Sequence, residues 1–375
     1  MISRCTRRVL LRRLVASLLV LLPSRRLALS DKESAPLPPA LPQEAAVAAP
    51  SPAGLQSLLG PCPRVKVVGV GGAGGTIVAR LLEKGIPGAE FCVADTNVRS
   101  EMYLEGQRGI LLGPNLTRGL ATGGCLERGA QAAAESAGEL RAALAGADLA
   151  LIVAGLGGGT GGGAGPVVTQ LAREAGATTV ALVTLPFAFE GRRRAAKAAE
   201  GLDALSATAD TVIVVTYEAL SSALRSHTLA KAFRALDDLV AGSARGLVEP
   251  LTIPGLICVH FDDFRRLLSR GGMARLGVAQ AEGLQSGQRA VWDAVASPLL
   301  GGSIRQASSL ILSVRAGVDL DVRDVAEAGQ AVAEAAAADT PLMLSAIVDP
   351  ALPGRRIEAT LFAMGMSDVV GARRW

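Results

Sequence analysis

Eight glycines fall within the eleven residues Gly155–Gly165, in the run AGLGGGTGGGAGP, directly after the apolar stretch Leu149–Val153. Glycine permits backbone conformations and close approaches that a Cβ forbids. A flexible linker has a similar composition, but linkers do not usually abut what reads as a buried strand. A second cluster, Gly69-x-Gly71-x-x-Gly74, lies between the apolar run Val65–Val70 and a helical pattern starting at Thr76, and Asp95 follows Gly74 by 21 residues. Alone, this cluster fits a dinucleotide fingerprint: backbone N–H groups against a pyrophosphate at a helix N-terminus, and an acid for a ribose. It fits a glycine-rich strand–helix turn without a ligand as well. The two clusters together say more. In a parallel sheet both emerge at the C-terminal edge, where N–H groups from two loops can surround one polyphosphate. A nicotinamide fold needs only the first loop, so two loops point to a nucleoside triphosphate. No GxxxxGK[ST] occurs, which excludes a P-loop site.

The elements that must hold these loops read as alternating strands and helices. Strands are expected at Val65–Val70, Ala89–Asp95, Asp148–Ala154, Thr178–Leu185 and Asp210–Val215. Helices are expected over 127–146, Pro166–Ala175, Arg192–Ala207 and 229–248. That alternation predicts a mostly parallel sheet covered on both faces. After about residue 250 the texture changes to a second α+β unit. Its strands are Ser309–Val314, Leu342–Val348 and Arg356–Ala363, with helices near 283–296 and 322–337.

The bulk composition excludes several functions. The formal net charge is +4, but the first 30 residues hold seven Arg and no acid, leaving 31 basic against 34 acidic residues elsewhere. The body is therefore not a basic nucleic-acid binder, and 3% aromatic content leaves little for base stacking. The five cysteines show no CxxC spacing, which suits a reducing compartment. Two histidines leave little scope for a His-based metal site, and no metal-binding residues are assigned. Residues 1–30 read as a targeting leader, with arginines flanking the apolar run Leu14–Leu22, too short to span a bilayer. Residues 31–62 read as a disordered Pro/Ala-rich spacer.

At this point the order of motifs resembles the FtsZ/tubulin GTPases. AGLGGGTGGGAGP resembles their signature loop, and Val67–Gly74 resembles their first phosphate loop. Leu116–Leu120, Phe187–Arg194 and Ala232–Asp237 resemble, in turn, the entry to a third loop, a ribose-contacting segment and the helix that holds guanine. Ile253–Leu256 and Ser297–Leu300 carry the likeness into the second unit, so that it covers about 64–365. The resemblance implies an α/β, tubulin/FtsZ-like fold. A Rossmann-like parallel-sheet GTPase domain spans 63–228, a long central helix 229–250, a smaller C-terminal α+β domain 251–367 and a short tail 368–375.

It also implies roles. Gly71, Gly72, Ala73, Gly74, Gly75 and Thr76 are expected around the α- and β-phosphates, with Gly159, Thr160 and Gly161 on the other side. Glu190 would accept ribose hydroxyls, and Arg194 would add positive charge or a base contact. Asp237 would take the two N–H groups of guanine, with Phe233 stacking on the base. Singly, each has an ordinary explanation as a solvated charge or a core aromatic. In the family a loop of the second domain completes the neighbour's site with a pattern like N-x-D-F-x-D. Here that stretch reads Cys258-Val259-His260-Phe261-Asp262-Asp263, keeping Asp263 as the catalytic acid. Gly162 replaces a Thr or Ser, Thr76 replaces Asn, Cys125-Leu126 replaces an Asn-Pro-like pair, and Tyr217-Glu218 replaces Asn-Asp.

The resemblance thus implies a GTP-binding protein, with Mg2+ as the accompanying ion, that polymerises head to tail and divides a cell or organelle. Its partners are copies of itself and other subunits of the family. Hydrolysis is expected to be weak because the catalytic stretch diverges. The alternative is a hydrolysis-impaired structural paralogue that co-assembles with an active one. The leader points to a plastid stroma, with a mitochondrion or a bacterial cytoplasm as alternatives. The short tail leaves any membrane or adaptor tether to come from elsewhere.

Overall fold

The computed structural model describes residues 62–99, 107–220, 228–269, 271–283 and 285–366. The leader, the spacer up to residue 61 and the tail 368–375 lie outside these residues. In chain order come β1 (Val65–Val70), α1 (Gly71–Lys84), β2 (Ala89–Asp95), β3 (Arg108–Leu111), the single turn α2 (Pro114–Thr117), α3 (Leu126–Glu135) and α4 (Ala137–Leu144). Then follow β4 (Leu149–Gly155), α5 (Gly159–Glu174), β5 (Thr178–Leu185), α6 (Arg192–Thr208), β6 (Thr211–Thr216) and the central helix α7 (Leu229–Thr252). The second half holds α8 (Phe261–Ser269), β7 (Gly272–Glu282), α9 (Ser286–Val295), β8 (Ser309–Ala316), α10 (Val322–Ala335), β9 (Leu342–Val348) and β10 (Arg356–Met364).

All ten strands form one sheet in the order β3-β2-β1-β4-β5-β6-β7-β10-β8-β9. From β3 to β7 every pair is parallel, β10 runs antiparallel to β7 and β8, and β8–β9 is parallel again. In β1, β4, β5 and β6 both faces are buried, which explains why these strands read as nearly unbroken apolar runs. In β4, Leu149, Leu151 and Val153 point to one core, while Ala150, Ile152 and Ala154 point to the other.

The first core contains α1 and one stripe of α7: Leu236, Val240, Ala244, Leu247 and Leu251, at spacings of three and four. The same cluster takes in Phe264 and Leu268 of α8 and Ile311 and Phe362 of the second half. Each Leu or Phe so buried is worth about 1.5–3 kcal/mol. Thr228 caps α7, its Oγ1 accepting the Lys231 N–H at 3.4 Å. Further along, α7 carries the buried carboxylate of Glu249, held by Arg245 at 2.6 Å and facing Arg315 of β8 at 3.7 Å. Arg315 also pairs with Asp349 and Glu358. Burial draws the Arg315 pKa below its usual value, against the pull of Glu249.

The structure departs from the sequence reading at several points. The helices α1 and α5 begin at Gly71 and Gly159, not after their glycine runs. The helix expected over 127–146 breaks at Ser136 into α3 and α4. The strands β3 and β7 and the helix α8 were not anticipated.

Glycine costs an exposed helix about 1 kcal/mol relative to alanine. Here it is required by the neighbours of α5. A Cβ on Gly163 would land on the Leu126 carbonyl, and one on Gly129 of α3 would land on the Gly159 carbonyl. On the other side, a Cβ on Gly201 of α6 would sit 3.0 Å from Gly162 Cα. Because the obstructing atoms are backbone, Gly163→Ala is expected to lower stability by about 1–3 kcal/mol. The fall should appear as a lower urea midpoint at unchanged slope. Gly138→Ala, in α4 with open space at its Cβ, should leave the midpoint level or raise stability by up to about 1 kcal/mol.

Candidate functional site

The strands β1 and β4 are neighbours, yet the chain leaves them in opposite directions, to β2 on one side and β5 on the other. Such a switch point opens a crevice at the carboxyl ends of the strands. Both α1 and α5 start there, with Val70 and Gly158 at their N-cap positions. Neither cap offers a side-chain hydrogen bond, and neither first turn holds an acid. Two helix N-termini thus present backbone N–H groups and partial positive charge to the same space. A Cβ on Gly71 (φ +73°) would lie 3.1 Å from the Gly161 nitrogen, and one on Gly161 would strike the Gly155 carbonyl, so each loop needs glycine there.

Between them lies a cavity of about 720 Å³. A third wall is the strip 121–124, where Ala121, Gly123 and Gly124 all have left-handed φ of 64–74°. Thr160 in α5 shares a 2.8 Å hydrogen bond with the Thr96 hydroxyl, and the Thr96 N–H donates to Asp95 Oδ1 at 2.7 Å.

The opposite end of the cavity is aromatic and acidic. Phe233 and Asp237 reach it from α7, one turn apart. Phe187 lies against Phe233 edge-on at 5.8 Å, and against Tyr217 at 5.5 Å. Glu190 accepts the Phe187 N–H at 2.8 Å and pairs with Arg194 at 3.0 Å, so its position is fixed from two sides. Burial, with the negative charges of Asp237 and Glu190 adding to it, pushes the Tyr217 hydroxyl far above its usual pKa, leaving it neutral. One end therefore suits an anion, and the other suits a flat ring edged with hydrogen-bond donors.

Most of the site residues expected from sequence converge here: Gly71, Gly72, Ala73, Thr76, Gly159, Thr160, Gly161, Glu190, Arg194, Phe233 and Asp237 all line the cavity. Gly74 and Gly75 do not. A Cβ on Gly74 would strike the Val153 carbonyl, and one on Gly75 would meet Val93 at 3.3 Å, so both let α1 lie close on the sheet. Gly162, Gly163 and Gly165 likewise lie outside the lining, and the first two are closed in by α3 and α6. The later part of the glycine run is there for helix packing. Asp95 is buried and engaged with Thr96, so it offers no ribose acceptor.

Asp263 lies outside the cavity of its own chain. It stands in the first turn of α8, where acids are favoured anyway, half-exposed and 3.5 Å from Arg266. Cys258 and His260, just before α8, are exposed. The lining also holds Thr122, Thr184, Tyr217, Arg193 and Lys197, to which the sequence reading gave no role. Of these, Tyr217 was visible only as a departure from a pattern.

The sequence pattern of the Tubulin/FtsZ family GTPase domain matches residues 64–225, and that of the FtsZ family C-terminal domain matches residues 272–367. Cell division protein FtsZ 1 of Archaeoglobus fulgidus is 36% identical over 288 residues, 77% of this chain and 78% of that protein. A solved FtsZ dimer from M. jannaschii superposes with a TM-score of 0.81 at 34% identity, covering 85% of this chain and 93% of the other. CetZ2 from Haloferax volcanii, solved as a GTPγS-bound protofilament, shares the fold, with a TM-score of 0.67 at 23% identity over 80% of this chain and 92% of that one. The GTPase-domain and C-terminal-domain matches fall on the two halves of the sheet, and the chain belongs to the Tubulin/FtsZ family.

Proposed function

We propose that this chain is a division GTPase that binds GTP in the cavity, assembles head to tail and hydrolyses the nucleotide at a site completed by the next subunit. The observation that carries the reading is the pairing of two uncapped helix N-termini at one end of the cavity with Asp237 and Phe233 at the other. A carboxylate takes the two N–H groups on one edge of guanine, whereas adenine offers an acceptor where guanine has N1–H. Among the described residues no group of three or more His, Cys, Asp or Glu could hold a metal. Mg2+ would therefore be held largely by phosphate oxygens and water, as is usual for this ion.

Assembly is supported by what each chain lacks. Among the described residues, the carboxylates lining the cavity, Glu190 and Asp237, lie at its aromatic end, and Asp263 is exposed elsewhere. A relative of this chain has been solved as a dimer. In the assembled form Asp263 would help position the attacking water on the neighbour's GTP. Cys258 and His260 stand beside it in place of an amide and a carboxylate. A thiol is a weak hydrogen bonder and an imidazole brings no negative charge, so turnover should be slow. The same two residues favour the second reading, a paralogue that binds GTP and co-assembles with an active subunit. Steady-state phosphate release by the purified protein separates the two. The Arg-rich leader supports a site of action inside a plastid.

Three outcomes are expected. Asp237→Ala should weaken GTP binding tenfold to a hundredfold, from the loss of at least one charged hydrogen bond of about 1.5–3 kcal/mol. Titration calorimetry should show weak ATP binding unchanged by this variant; a wild type that binds ATP as tightly as GTP overturns the guanine reading.

The specific rate of hydrolysis should rise with protein concentration above a threshold. Asp263→Ala should remove about 10²–10⁴ of that rate while leaving GTP affinity intact. His260→Asp should raise it. An Asp263→Ala variant that turns over at the wild-type rate rules out the shared site.

A reporter carrying residues 1–60 should enter a plastid when expressed in a plastid-bearing cell. Retention in the cytosol defeats the localisation but not the GTP reading.

A further inference from the structure

Lys197 lies on α6, one helical turn before Gly201, so the two share a face. Gly201 is the residue that meets Gly162 of α5 backbone to backbone. Two facing glycines bring α6 nearer to α5 than side chains would allow, and Lys197 is carried in with it. Its stem reaches the cavity wall, where Nζ donates to the Gly124 carbonyl.

That partner is neutral. Among the described residues no carboxylate forms an ion pair with Lys197, whereas Arg194 of the same helix is paired with Glu190 at 3.0 Å. The Glu127 carboxyl is held below its usual pKa first by the Cys125 thiol and its own backbone, and less by the charge of Lys197. A partly buried ammonium thus faces a cavity built for anions with no carboxylate in ion-pair contact among the described residues. Lys is a compact point charge with three donors on a flexible stem, well suited to a phosphate.

The order of the walls says which phosphate. The helix α1 shares a core with α7, which carries Phe233 and Asp237. The α1 turn meets Thr160 and Gly161, and on the far side Gly159 abuts the strip at Thr122 and Cys125. A phosphate chain that starts at the base and passes the α1 turn and the α5 N-terminus reaches the strip and Lys197 last. We propose that Lys197 takes the terminal phosphate of bound GTP and so makes the site distinguish tri- from diphosphate. This rests on the GTP reading above and extends it to a residue that no sequence motif marks.

The test is equilibrium binding of GTPγS and of GDP to the wild type, Lys197→Met, Lys197→Gln and Lys197→Arg. Gln keeps a donor for the Gly124 carbonyl but carries no charge. Met and Gln should each lose tenfold to a hundredfold in GTPγS affinity, the scale of one charged hydrogen bond. Their GDP affinity should change by less than about threefold, which also shows that they fold. Arg should keep most of the GTPγS affinity. If Lys197 only staples α6 to the strip, Gln will bind both nucleotides as the wild type does, and the proposal falls. Equal losses for both nucleotides in Met and Gln overturn it as well. A wild type that binds neither nucleotide overturns the GTP reading and this inference together.

Discussion

Binding a polyphosphate through backbone N–H groups requires main chain from separate elements to converge with nothing in between. Everything around the cavity follows from that constraint. Gly71 comes up against Thr160 and Gly161 because it has no Cβ, and Gly159 abuts the 121–125 strip for the same reason. The requirement then spreads beyond the ligand. To hold its N-terminus at the crevice, α5 is clamped between α3 and α6, and Gly129, Gly162, Gly163 and Gly201 make the clamp tight. The helix gives up conformational entropy at each glycine and regains it as close packing on both flanks.

The parallel half of the sheet was legible because burial on both faces leaves nearly continuous apolar runs such as VKVVGV, broken only by Lys66, and LALIVAG. Its edge was not. The strand β3 is four residues, RGIL, with little to distinguish it from a loop. The strand β7, GMARLGVAQAE, mixes Gly, Ala, Arg and Glu without clear alternation. The starts of α1 and α5 were hidden by the general association of glycine with loops, which tertiary packing overrides here. The site showed the same division. Gly71, Thr160, Glu190 and Asp237 lie in ordered motifs and could be named in advance. Lys197 could not: in RRRAAKAAEG it reads as one more charge on a solvated face, and only a contact between two helices turns it to the cavity.

The two halves of the molecule are joined unequally. Along the sheet, β6 and β7 share only three residue pairs, Thr211 to Ile213 against Gly272 to Ala274. On the next seam, β7 and β10 share nine. The deficit is made up on one face by α7, whose stripe belongs to the same core as Phe264 and Phe362, and by the Glu249–Arg315 cluster. Removing one partner from such a buried ion cluster typically costs about 3–5 kcal/mol, because the remaining charge is stranded.

The narrow β6–β7 seam gives the molecule a mechanical grain. A force pulling the halves apart across the strands meets a short row of hydrogen bonds there, so the load passes to the side chains of α7. The same helix holds Phe233 and Asp237 at the cavity. The element that braces the two halves against each other is thus the one that carries Phe233 and Asp237, so a shift between the halves would act on one end of the cavity.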